Sequence, residues 1–221
     1  MNYPIWRLDW IGGGTLIALI SIVHVYVAHF AVGGGLFIWL SDRAALREGS
    51  VELDEYLRRF TRFFLLLTMV FGAVTGVGIW FIIGLVSPAA TSALIHGFVF
   101  AWAAEWFCFL AEIVALLVYH YYFDSLERRN RTMVAFFYFL FAFLSLLIVN
   151  GILSFMLTPG SWNETRGFWD GLLNPGFIPS AVFRFCASVM FAGIFGYLTT
   201  AFSAEGSFRA RMLRRFTLWL L

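Results

Sequence analysis

The sequence predicts an all-α integral membrane protein with five transmembrane helices and the start of a sixth. Its N-terminus is expected on the extracytoplasmic side and its core as a four-helix bundle. Three observations carry this. Of 221 residues, 61% are hydrophobic and only 13% charged, against roughly 45–50% and 25% in a soluble domain. Five apolar runs reach the length of about 20 residues that a bilayer core requires. The arginines, 15 in all with no lysine, collect in alternate connections. The 27 Phe and nine Trp exceed what a core of this size can hide, which excludes a soluble monomer. Such hydrophobicity also excludes a disordered chain. A formal charge of +2 gives nucleic-acid binding no support. Cys108 and Cys186 lie inside apolar runs without CxxC or CxxCH spacing, so neither a disulfide framework nor c-type haem attachment follows.

The spans are expected at 13–40, 63–86, 94–122, 132–157 and 178–203, within one transmembrane domain covering 1–221. The first run lacks a basic flank and continues for a full span, so it does not read as a cleavable signal peptide. After it, 41–62 carries Arg43, Arg47, Arg58, Arg59 and Arg62, and 50–62 reads as a short amphipathic helix leading into span two. The 87–93 connection has no charge. Arg128, Arg129 and Arg131 follow span three, and Arg209, Arg211, Arg214 and Arg215 follow span five. The 158–177 connection has only Arg166 among basic residues, and its Gly, Pro, Asn and Trp suit an interfacial re-entry with an aromatic belt. Basic residues accumulate on the cytoplasmic side of short loops. This orients the chain with its N-terminus outside, multi-pass in a bacterial cytoplasmic (inner) membrane. The end, Arg214 to Leu221, reads as cytoplasmic arginines and the first turn of a sixth span. It points to a longer fold.

Ionisable groups within spans mark function by default. At about 1.5 Å rise per residue, His24 on span one and Glu105 on span three fall near mid-membrane. His29 and Glu112 lie about one and a half turns closer to the cytoplasm. Asn150 and Arg184 lie in the outer half. Glu105 and Glu112 are seven residues apart and share a face. They suit either a proton path or salt-bridge and hydrogen-bond partnership. His24 and His29 project about 140° apart, so one of them is the interior group. His24 shares its face with Ser21, Ala28, Ala31 and Gly35, a stripe that admits a helix or a flat cofactor. Gly72, Thr75, Gly76 and Gly78 form a similar set. A neutral imidazole is a common axial haem ligand; the plainer alternative is a histidine hydrogen-bonded to Glu105 or Asn150. His96 and His120, near the ends of span three, suit interfacial solvation. Arg184 requires a carboxylate such as Glu105, an anionic cofactor group, or snorkelling to the interface.

In order along the chain stand His24 with Gly33, then Gly72-Ala73-Val74-Thr75-Gly76, then Glu105, Glu112 and Asp124. Phe155-Met156-Leu157-Thr158-Pro159 and Leu173-Asn174-Pro175 complete the series. Across nearly all of the chain, this order and spacing resemble the N-terminal part of subunit I of the cytochrome bd quinol oxidases. The resemblance implies that His24 matches a haem-ligating histidine on span one and Glu112 an acid of proton delivery. Glu105 lies one residue off the pattern for a second acid. It also places Arg184, in Arg184-Phe185-Cys186-Ala187-Ser188, where the family has a span-five haem ligand. Arginine does not fill that role. The family's other haem ligands and quinol loop lie beyond Leu221, so a complete three-haem oxidase is not implied.

The expected function is that of a b-type haem subunit of a respiratory complex, with one or two haems. It would exchange electrons between quinone or quinol and a partner. His24 is the expected ligand of haem iron, with Arg184, His29 and Asn150 also near the cofactor and Glu105 and Glu112 as the proton path. Expected partners are other membrane subunits, the lipid bilayer and an extracytoplasmic redox subunit of the cytochrome c kind. Two alternatives stand beside it: a haem-free anchor for a redox module, and a proton-conducting subunit.

Overall fold

A computed structural model describes residues 5–203 and 206–220. Among these the chain is all helical, and five helices are long and apolar enough to cross a membrane. Helix α1 (Gly13–Glu48) is 36 residues long. At 1.5 Å per residue it outruns a bilayer core of about 30 Å, so its last turns project beyond the span expected to end at 40. Gly49 terminates it in the left-handed region at φ 63°, the conformation glycine tolerates best.

Ser50 opens α2 (Val51–Leu65) by accepting a hydrogen bond from the Leu53 amide at 3.3 Å. The expected amphipathic helix is present. Leu53, Tyr56, Leu57, Phe60 and Phe64 are buried while Arg58, Arg59 and Arg62 face outward. It does not stop before the membrane: a π-helical stretch (Leu66–Gly72) joins it without a break to α3 (Ala73–Val86).

The uncharged 87–93 connection is in fact the start of a helix, α4 (Pro88–Gly97). Proline is favoured at a first helical position, and the Thr91 hydroxyl donates to the carbonyls of Ile83 and Ser87. His96 therefore sits on α4, not on span three, which is α5 (Val99–Tyr121). Span four is α6 (Arg128–Leu157). The 158–177 connection contains two short helices, α7 (Trp162–Thr165) and α8 (Phe168–Leu172), and leads into span five, α9 (Phe177–Ser203). Helix α10 (Gly206–Leu220) already spans fifteen residues where one turn is expected, and it packs back along α9.

Helix α1 is the central element, packed against α3, α6 and α9, with α5 lying on α6. The run Gly33-Gly34-Gly35 explains how three neighbours approach it at one level. A Cβ at these positions would lie 1.9 Å from the Ser188 carbonyl of α9, 2.4 Å from the Phe64 ring of α2 and 2.5 Å from Tyr138 of α6. Successive residues turn by about 100° around a helix, so each glycine serves a different partner. On either side of this crossing the phenylalanines pack edge-on or tilted. Phe30 meets Phe64 at 5.1 Å and Phe195 at 4.4 Å, and Phe37 meets Phe60 at 5.2 Å and Phe216 at 4.5 Å. The aromatic excess thus divides between this core and the lipid-facing surface, where Phe81, Phe100, Phe107 and Phe183 stand exposed.

Candidate functional site

The histidine of span one sits on the seam between α1 and α3. Its Nδ1 lies 3.0 Å from the Thr75 hydroxyl. That hydroxyl donates its single proton to the backbone, 2.8 Å to Phe71 O and 3.1 Å to Gly72 O. The network therefore assigns the proton between the two side chains to the imidazole: His24 Nδ1–H donates to Thr75 Oγ1, and Nε2 keeps its lone pair. Gly76 leaves room for the ring, since a Cβ there would come 3.1 Å from His24 Cε1. The Gly-x-x-Thr-Gly stretch and the histidine, read separately in the sequence, are two halves of one arrangement. The partners considered for His24, Glu105 and Asn150, are elsewhere.

His29 is the buried one of the pair, while His24 is half-buried. Its Nδ1–H donates to the Val25 carbonyl at 2.8 Å, and its ring meets the edge of Phe191 of α9 at 6.2 Å. Arg184 lies at the same level, one turn before the Gly33–Ser188 contact on α9 as His29 is on α1. Its Nε donates to Ser180 Oγ at 3.3 Å, and among the described residues it makes no ion pair. The Arg184–Glu105 pair considered from sequence is not formed. Glu105 accepts instead from Ser145 of α6 at 3.0 Å. Glu112, two turns along the same face, makes no hydrogen bond or ion pair among the described residues. Asn150 is fully buried and donates to the Phe177 carbonyl at 2.9 Å, pinning the start of α9, while its Oδ1 has no partner. His96 is exposed and bonded to Ser92 O within α4, in keeping with the interfacial expectation.

The expected site residues thus occupy four seams. His24 is at α1–α3, His29 and Arg184 at α1–α9, Asn150 at α6–α9, and the two glutamates at α5–α6. Only His29 and Arg184 are brought together. A haem-ligating histidine characteristically donates its other nitrogen's proton to a fixed acceptor; His24 does so to Thr75 and His29 to the Val25 carbonyl, and His24 alone of the two has a glycine, Gly76, clearing space beside its ring. Arg184 offers a cation for an anionic group and no lone pair for iron. Among the described residues no three His, Cys, Asp or Glu side chains converge as a metal cage.

Sequence reasoning missed two polar knots. At the arginine-rich end, Asp42 is fully buried and accepts from Tyr119 (2.9 Å), Arg131 Nε (2.7 Å) and Thr132 (2.5 Å). Arg131 reaches Asp54 at 2.5 Å, Arg128 joins the same carboxylate at 2.5 Å, and the Arg131 guanidinium lies 4.0 Å over the Phe123 ring. Arg131, expected in a solvated loop, is 4% exposed. In the 158–177 connection, Asn174 Nδ2 donates to Gly151 O, Ser154 Oγ and Gly171 O, while its Oδ1 accepts from the Gly176 amide and from Thr158. The Asn-Pro pair that begins this turn was the available signal.

The family model of cytochrome bd terminal oxidase subunit I matches residues 15–218. Among solved structures, the bd oxidase from Geobacillus thermodenitrificans shares the fold with a TM-score of 0.80 at 20% identity, over 94% of this chain and 50% of that one. The chain therefore spans about half the length of that relative. No curated protein matches it. By its family match the chain belongs to the cytochrome bd terminal oxidase subunit I family, a family of multi-pass respiratory membrane subunits.

Proposed function

We propose that this member of the cytochrome bd terminal oxidase subunit I family is a b-type haem subunit that exchanges electrons between membrane quinol and a redox partner. The observation that carries the reading is the His24–Thr75–Gly76 arrangement. Thr75 holds the imidazole in one tautomer and Gly76 clears space beside the ring. A haem bound there supplies one-electron redox chemistry. The protein's own task is to hold His24 Nε2 unprotonated and fixed. Arg184, without an ion-pair partner, offers a charge for a propionate. No ligand stands on α9 for a second haem at that position, so one haem fits these residues better than two. The reading places the whole chain as one transmembrane domain in a bacterial cytoplasmic membrane, its arginine-rich end inward. Other membrane subunits are its neighbours, and its redox partner docks on the extracytoplasmic side.

Reduced-minus-oxidised spectra of the purified complex, with pyridine haemochrome quantitation, test this. His24→Ala is expected to remove the absorbance of one b haem per chain, and Thr75→Val to shift its band or potential. A haem-free wild-type complex, or unchanged absorbance in His24→Ala, overturns the reading and leaves the anchor role. A specific contact favours a second role beside the first. The Ser145–Glu105 hydrogen bond and Glu112 on the same face suit proton movement along α5–α6. Glu112→Gln is then expected to slow proton uptake about tenfold or more while haem content stays constant.

A further inference from the structure

Between the arginine-rich ends of α1 and α6 lies an open groove of about 480 Å³. Its walls are Trp39, Leu46, Met133, Phe136 and Phe137, and at its rim stand Arg43, Arg47 and Arg129. The apolar part is rigid, because Trp39 packs on Phe136 at 5.1 Å and stacks on Phe139 at 5.8 Å. The rim is different. Arg43, Arg47 and Arg129 are exposed and, among the described residues, make no ion pair, whereas Arg58, Arg59, Arg128, Arg131 and Arg211 are all paired. The exposed Glu48 and Glu127 neighbour Arg47 and Arg129 in sequence without an ion pair to them among the described residues, and Asp42 is fully buried behind the groove and saturated by Tyr119, Arg131 and Thr132. It cannot neutralise them. A second groove of about 420 Å³, on α5 and α6, is lined by Phe107, Leu110, Val114, Phe137 and similar residues with no charge at all.

We propose that the α1–α6 groove is a binding site for an anionic phospholipid. Its phosphate sits among the guanidiniums of Arg43, Arg47 and Arg129, and its acyl chain lies along Trp39, Met133 and Phe136. The charge complementarity is with a phosphate monoanion, for which arginine offers bidentate hydrogen bonds. The apolar walls directly below the rim select a lipid over a free phosphate. Basic pockets between transmembrane helices are a recurrent form of headgroup recognition. The occupant also has a structural role: it shields three like charges at the end of α1, the helix on which the whole bundle packs.

Native mass spectrometry of the intact complex after detergent delipidation, titrated with phosphatidylglycerol or phosphatidylcholine, tests the site. The unmodified protein is expected to retain at least one phosphatidylglycerol under conditions that strip phosphatidylcholine, and millimolar inorganic phosphate should not displace it. Replacing Arg43, Arg47 and Arg129 together by Gln is expected to weaken phosphatidylglycerol binding by at least about tenfold, from three surface charges. The same loss of charge at Arg209, Arg214 and Arg215 should leave that lipid in place. Equal retention in both triple variants overturns the proposal. So does displacement by phosphate, or protection of a Met133→Cys thiol from a lipid-borne maleimide by a partner subunit. Haem content and quinol turnover do not enter the readout, so failure here leaves the haem reading standing.

Discussion

Two regions of this bundle hold charge within or against the membrane, and they treat it in opposite ways. At the arginine-rich end, Asp42, Asp54, Arg128 and Arg131 neutralise one another, and Tyr119 and Thr132 take up remaining bonding capacity of Asp42. The knot ties α1, α2, α5 and α6 together. Within the spans, Arg184 has only a serine, Glu105 only a serine, and Glu112 no partner among the described residues. A buried ion pair is strongly destabilised when one member is removed, whereas an unpaired group is costly as it stands. The saturated region therefore maintains the fold, and the unsaturated one is kept despite its cost. That contrast, more than any single residue, separates the groups that hold the bundle together from the three in-span groups without a charged partner among the described residues.

Three substitutions break or sharpen it, in descending size. Arg131→Ala leaves Asp42 and Asp54 facing each other without their shared cation, and should cost about 3–5 kcal/mol. The drop is to be followed by thermal unfolding in detergent, and adding Asp42→Asn should restore part of it, because the two residues couple directly. In haem-free protein Arg184→Leu should do the reverse, raising stability by about 1–2 kcal/mol as an unpaired intramembrane charge disappears, and in haem-loaded protein that gain should vanish if the arginine holds a propionate. A loss of stability instead would mean that Arg184 already has an anionic partner. Glu52→Gln breaks only the exposed pair with Arg211, and unfolding should change by less than about 1 kcal/mol.

The spans, their order and the amphipathic α2 were legible because hydropathy and arginine placement report them directly. Helix α4 was not, since Ala89, Ala90 and Ile95 carry no charge to separate a short helix from a turn or from the next span. The in-span polar residues were legible one at a time, as ionisable groups in apolar runs. Their pairing was not. A transmembrane helix that is apolar all round has no hydrophobic face to fix its rotation, so periodicity does not say that His24 meets Thr75 or that Glu105 meets Ser145. Asp42 and Arg131 escaped notice for the opposite reason: each sits among other polar residues at a span's end, and 89 positions separate them.

The π-helical stretch in the second span has a consequence for indels. An α-helix advances about 100° per residue, and a π turn accommodates an extra residue without breaking the helix. It lets a 36-residue rod carry an additional residue while its two ends keep nearly the same facing. The lower end presents Phe60 and Phe64 to the aromatic core, and the upper end presents Thr75 to His24. Deleting one residue from 66–72 would leave a straight, well-formed helix of nearly the same hydropathy. The threonine would turn by only roughly 30° against the aromatic core, because seven π residues at roughly 80° and six α residues at about 100° sweep nearly the same angle, so this stretch is where one letter could be lost from the sequence with the site kept.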